Sequence, residues 1–86
     1  MTKIWSDDAW DAYLTWQGED KKTLKRINEL IKDIETNGVA TGIGKPERLK
    51  YRDAWSRRID HANRLLYDVD AGGNLLIIAC RGHYDE

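Results

Sequence analysis

The sequence predicts an α+β fold, two N-terminal helices packed on a twisted antiparallel sheet, and three observations carry that prediction. Apolar residues recur at three-to-four spacing through residue 34. Beyond residue 55 the period switches to the alternation of strands. The chain has 86 residues, 41% of them hydrophobic and 34% charged, which suits one small folded domain.

Each element follows in order. Residues 3–5, Lys-Ile-Trp, are a short apolar first strand. Ser6 is a good N-cap, and Asp7 and Asp8 sit at the positive end of the helix dipole. Trp10, Tyr13, Leu14 and Trp16 then recur at helical spacing, and Gly18 is expected to break this first helix. Asp20 caps a second helix whose stripe is Leu24, Ile27, Ile31 and Ile34, and Asn37-Gly38 stops it. Residues 39–45 form a loop before the only proline, Pro46. Residues 55–60, 64–69 and 74–81 read as strands, with 48–51 a possible fourth and Ala71-Gly72-Gly73 a hairpin turn.

The other hairpin lets side chains be placed. A three-residue loop, His61-Ala62-Asn63, with Asn63 left-handed pairs Asp60 with Arg64, Ile59 with Leu65 and Arg58 with Leu66. Pleat alternation then turns Trp55, Ile59, Leu65, Tyr67 and Val69 toward the helices. Arg58 and Arg64 emerge together on the open face, an arrangement able to grip a phosphate.

The formal net charge of −1 conceals an asymmetry. Residues 44–64 hold seven basic side chains against three acidic ones, while residues 1–20 hold one lysine against five acids. A local patch of this kind can bind phosphates, whereas the weak overall charge argues against a protein that coats nucleic acid non-specifically. The single cysteine, Cys80, has no internal disulfide partner and lies in the apolar run 75–80, where a buried thiol is expected. That run is far too short to span a bilayer, and the N-terminus lacks a secretory pattern, so a cytoplasmic location is expected, with no membrane association. No Cys/His ladder has metal-site spacing, and no metal or other cofactor is expected.

Few residues stand out chemically. His83 and Tyr84 follow the last strand at a sheet edge. Histidine titrates near neutral pH, and His61, in the expected turn, is given no role. Glu47 follows Pro46 among Lys45, Arg48 and Lys50, cations that favour its ionised form, as a general base requires. Taken alone, these signals are weak: a His-Tyr pair at a chain end is usually solvated, and a carboxylate among three cations is often a local charge balance.

Together the residues resemble a family. Ile4-Trp5-Ser6, the Trp10 and Tyr13-to-Trp16 pattern, residues 26–33 (Arg-Ile-Asn-Glu-Leu-Ile-Lys-Asp), 44–50 (Gly-Lys-Pro-Glu-Arg-Leu-Lys), 55–59 (Trp-Ser-Arg-Arg-Ile), 64–67 (Arg-Leu-Leu-Tyr) and 79–84 (Ala-Cys-Arg-Gly-His-Tyr) are similar to the YoeB toxins of the RelE/ParE superfamily. The similarity runs nearly the whole chain, in order. It implies a RelE-like fold and a ribosome-dependent endoribonuclease that cuts messenger RNA without a metal. Carried over by position, it implies Glu47 as general base, His83 as general acid, Arg64 on the phosphate and Tyr84 as the terminal tyrosine. Lys50 and Arg58 match accessory cations, and Lys45 and Arg57 are expected beside them as phosphate-binding residues. The resemblance further implies a YefM-like antitoxin, the ribosome with its message, and a homodimer. Two features depart from the family pattern: Gly82 stands where an aromatic is expected, and the loop before Arg64 is one residue short. The competing readings are a non-catalytic toxin of the same fold that binds a protein such as DNA gyrase, and an interaction module whose basic stretch docks an acidic partner.

Overall fold

In the computed structural model, which describes residues 1–83, seven elements follow one another along the chain. They are β1 (Lys3–Trp5), α1 (Asp7–Glu19), α2 (Lys21–Asn37), β2 (Glu47–Arg48), β3 (Trp55–Arg58), β4 (Arg64–Val69) and β5 (Leu75–Ala79). Ser6 caps α1 by accepting the Ala9 N–H at 3.0 Å, and its hydroxyl donates to the Ile78 carbonyl at 2.7 Å, so the cap also ties helix to sheet. Gly18 does not break α1. It lies inside the last turn, which closes through the Asp20 N–H on the Trp16 carbonyl at 2.9 Å. A lone glycine lowers helix propensity by about 1 kcal/mol and does not stop a helix whose capping partner lies beyond it. The turn comes at Asp20, whose carboxylate accepts the Lys22 and Thr23 N–H groups and starts α2. Gly38, with φ +87°, ends α2 in a conformation that favours glycine.

The strands form one sheet in the order β1-β5-β4-β3-β2. The helices follow β1 and precede the other four strands, as expected, but the sheet is mixed rather than wholly antiparallel, because β1 runs parallel to β5. Alternation of side chains reports which face is buried and says nothing of strand direction.

The β3–β4 register is two residues away from the one expected. Arg58 stands opposite Arg64, Arg57 opposite Leu65 and Trp55 opposite Tyr67. The loop between them is correspondingly longer, and Asn63 is not left-handed. The cause is the Asp60 carboxylate, which accepts the Ala62 and Asn63 N–H groups at 2.8 and 2.7 Å and closes the turn without a positive φ. A further irregularity lies between Leu66 and Tyr67, which pair with Ala79 and Ile77, leaving Ile78 as the extra residue on β5.

Beneath the helices, Ile27, Leu30, Ile31 and Ile34 of α2 pack with Leu65, Tyr67, Leu75 and Ile77 of the sheet. Trp16 donates from its indole nitrogen to the Cys80 carbonyl at 3.0 Å, fastening α1 to the end of β5. The Cys80 thiol is buried, as expected, and burial pushes it up to about 11. On the opposite face, Leu49 and Ala54 cover Leu66. Among the described residues, no helix is long and apolar enough to cross a membrane.

Candidate active site

Directly paired residues of an antiparallel ladder share a face. Glu47 pairs with Ser56 and Ser56 with Leu66, and in the next outward-facing row Arg58 pairs with Arg64. Glu47, Arg58 and Arg64 therefore stand on the face that the helices leave open. Glu47 and Arg58 are diagonal neighbours, a relation that spans about 7–8 Å between strands. The two arginines were expected to emerge together, and the shift of register places them directly opposite one another.

Like charges in that position repel. Neither guanidinium makes an ion pair with a described residue. The Nε atom of Arg64 is buried and has no hydrogen-bond partner among the described residues. An unsatisfied buried donor costs about 1–3 kcal/mol, and more when the group is charged. An anion accepting from it would relieve both the missing bond and the repulsion.

The loop between α2 and β2 delivers the carboxylate. Lys45 is the one described non-glycine residue with a positive φ, +56°, and it leads through Pro46 to Glu47 on the outermost strand. Lys45 and Glu47 are both exposed, and Lys50 is exposed in the turn between β2 and β3. At the far end of the chain the Arg64 N–H donates to the Gly82 carbonyl at 2.9 Å, and the Gly82 N–H donates to Asn63 Oδ1 at 2.9 Å. The tail is thereby laid beside Arg64, with His83 exposed one residue on. Tyr84 lies outside the described residues. Asn63, read from the sequence as a turn residue only, is the side chain that anchors this tail. Nothing in its sequence neighbourhood distinguishes that role from an ordinary loop asparagine.

Arg57 is a correction. It was expected among the phosphate-binding cations, yet it points toward the helices and its side chain is 0% exposed. Arginine has five N–H donors. Nε donates to the Tyr67 hydroxyl, Nη1 to Asp33 Oδ2 and the Ile43 carbonyl, and Nη2 to the Gly38 and Thr41 carbonyls. No donor is left for a phosphate. The reason is strand parity: the alternation that turns Arg58 outward turns its neighbour in. The Arg57 guanidinium holds the Asp33 carboxyl below its ordinary value, and burial raises the Tyr67 hydroxyl.

The face thus offers an exposed carboxylate and two guanidinium groups with no ion-pair partner among the described residues, with exposed lysines in the flanking loops and a histidine on the adjoining tail. Such groups can hold a phosphodiester and exchange protons with it. Among the described residues, no group of three His, Cys, Asp or Glu side chains could hold a metal ion.

Comparison with known proteins bears on this face. The family model of YoeB-like toxins of bacterial type II toxin–antitoxin systems matches residues 5–84. Toxin YoeB of Escherichia coli K12 is 51% identical over 86 residues, covering 98% of this chain and all of that protein. Toxin YoeB of Synechocystis is 53% identical over 88 residues, covering the whole of both. The YoeB dimer of Staphylococcus aureus superposes with a TM-score of 0.91 at 43% identity, and covers 98% of each chain. The toxin from the heterotetrameric YoeB–YefM complex of the same organism gives 0.89 at 44%, again over 98% of each. A match over nearly the whole sequence and a shared fold agree, and the chain belongs to the YoeB-like toxins of bacterial type II toxin–antitoxin systems.

Proposed function

We propose that this toxin is a ribosome-dependent endoribonuclease that cuts messenger RNA in the cytoplasm by general acid–base chemistry and so arrests translation. The observation that carries the reading is the pair of facing guanidinium groups, Arg58 and Arg64, on one face with Glu47, with Arg64 Nε buried and without a partner among the described residues. In the reaction the ribose 2′-hydroxyl attacks the adjacent phosphorus and the P–O5′ bond breaks. Glu47 takes the hydroxyl proton and His83 supplies one to the departing 5′-oxygen. The products are a 2′,3′-cyclic phosphate and a free 5′-hydroxyl, and no metal is needed for the balance. Arg64 and Arg58, with Lys50 and Lys45 nearby, stabilise charge on the phosphate oxygens, and Tyr84 packs against the nucleotide. Acid and base each contribute on the order of 10² to 10⁴-fold.

The partners follow from the same reading. A YefM-like antitoxin is one partner, a reading supported by the complex that the S. aureus relative forms with YefM, and it covers this face with acidic groups. Self-association uses the outer surface of β1 and α1, where Ile4, Trp10 and Leu14 are exposed beside a packed trio of Trp5, Trp10 and Tyr13.

The test is incubation of purified protein with programmed ribosomes and mapping of message ends. New ends carrying a 2′,3′-cyclic phosphate are expected, and they are expected to vanish in Glu47→Ala and His83→Ala variants that still fold. Intact message, with translation still arrested, would instead make the protein a toxin that binds a protein target.

A further inference from the structure

Glu47 reaches the open face from a strand too short to hold it. β2 is two residues long, lies at the sheet edge, and pairs with β3 only through Glu47–Ser56 and Arg48–Trp55. A ladder of that length frays readily. Its support comes from the loop that precedes it. Arg57 grips the carbonyls of Gly38, Thr41 and Ile43 at 2.8–3.0 Å. Asp33 on α2 accepts the Ile43 N–H at 3.0 Å while also accepting from Arg57. Tyr67 extends the grip by donating to the Val39 carbonyl at 2.6 Å. The Gly44 carbonyl then accepts the Arg58 N–H at 2.6 Å. Only Lys45, at φ +56°, and Pro46, whose ring fixes φ, separate that anchor from Glu47. Few torsions remain through which the carboxylate could drift.

We propose that Arg57 and Asp33 are positioning residues which, by clamping the 38–44 loop from behind the sheet, hold the Glu47 carboxylate in place on its front. The inference rests on the reading of Glu47 as the general base. One strand serves both sides: Arg57 clamps the loop under the helices, and Arg58 presents a cation to the substrate.

The experiment measures single-turnover message cleavage on saturating programmed ribosomes, the affinity for those ribosomes, and melting temperature. The variants are Asp33→Asn, Arg57→Lys, Glu47→Gln and the double variant Asp33→Asn/Glu47→Gln. A displacement near 1 Å costs on the order of 10²-fold in rate. Arg57→Lys is therefore expected to lose about 10²-fold, and Asp33→Asn, which keeps an acceptor but loses the charge, about tenfold. Affinity should stay within about twofold, because neither group touches substrate in this reading. In the Glu47→Gln background, Asp33→Asn should cost less than about twofold, since the group it positions is already gone. Should Arg57→Lys fail to fold, the Asp33→Asn cycle decides alone. The clamp is overturned if Asp33→Asn cleaves at the parent rate, or if its tenfold loss persists undiminished in the Glu47→Gln background. A Glu47→Gln variant as active as the parent would overturn the base assignment itself, a separate outcome.

Discussion

Gly42→Ala tests how tightly the loop is drawn onto Arg57. Gly42 has φ +129°, outside the regions that L side chains adopt, so an alanine there costs about 1–3 kcal/mol in backbone strain. The added Cβ would lie 1.8 Å from Asp33 Oδ2 and 2.9 Å from Arg57 Nη1. The carboxylate must swing away, leaving the fully buried guanidinium short of a charge-assisted bond, a further loss of about 1.5–3 kcal/mol. The two effects together amount to about 2.5–6 kcal/mol. A chain of this size has a total stability of about 4–13 kcal/mol. Each kcal/mol shifts the midpoint of such a domain by about 4–8 °C, so a fall of at least about 10 °C is expected. Thermal melting followed by far-ultraviolet circular dichroism measures it. A variant melting within about 3 °C of the parent would show that the loop yields without loss, and the account of Arg57 as a satisfied buried hub would be wrong.

Gly18→Ala should act in the other direction: nothing lies within 4 Å of its added Cβ, and the change should raise stability by about 0.5–1 kcal/mol in the same melts, with a loss arguing that α1 ends earlier. Four carboxyls are held below their ordinary 3.8: Asp20 by the Thr23 hydroxyl, Asp33 by Arg57, Asp70 by the Asn74 N–H, and Asp60, against the opposing effect of burial, by the Ala62 and Asn63 N–H groups. Lowered folded values mean that their stabilisation is present above about pH 4 and lost as pH falls through 3.8 toward those values; melts between pH 7 and 3 should stay level to about 5 and then drop, and a midpoint unchanged at pH 3 contradicts the assignment. Cys80, raised to about 11 and buried, should resist iodoacetamide at pH 8 in the folded protein and react at once in denaturant, and rapid labelling of the native protein would place the thiol at the surface. Trp10→Glu, at a side chain 44% exposed, should convert any dimer to monomer in sedimentation without lowering the melting temperature by more than a few degrees, whereas a persistent dimer would move the contact elsewhere.

Local chemistry carried most of the fold into the sequence. Ser6 and Asp20 announce both helix starts because capping is a matter of one side chain and the next few amides, and Gly38 announces a stop for the same reason. β4 is legible to the residue at both ends. The outward pair Arg58 and Arg64 survives a register error, since a slip of two residues preserves parity. The register itself was hidden, because the Asp60 carboxylate, rather than a left-handed Asn63, closes the loop. The extra residue at Ile78 was hidden too: in the run Leu-Leu-Ile-Ile-Ala-Cys every candidate is apolar. Arg57 was legible in principle, for it shares parity with Trp55 and Ile59, but a cation next to Arg58 in a basic stretch reads as surface until its five acceptors are visible. Those acceptors are mostly backbone carbonyls of a distant loop, which no side-chain pattern records.

The seam between β1 and β5 joins opposite ends of the chain: the Leu75 N–H reaches the Thr2 carbonyl, and the Ser6 N–H reaches that of Ile77. During synthesis, therefore, the first strand must wait for residues 75–77 to emerge before it has its partner in the sheet. Until then the apolar sides of α1 and α2 lack Leu75 and Ile77 to rest on, and contacts so remote in sequence form late. A chain ended before β5 would leave those helices partly uncovered and would lack the stretch that lays the tail beside Arg64.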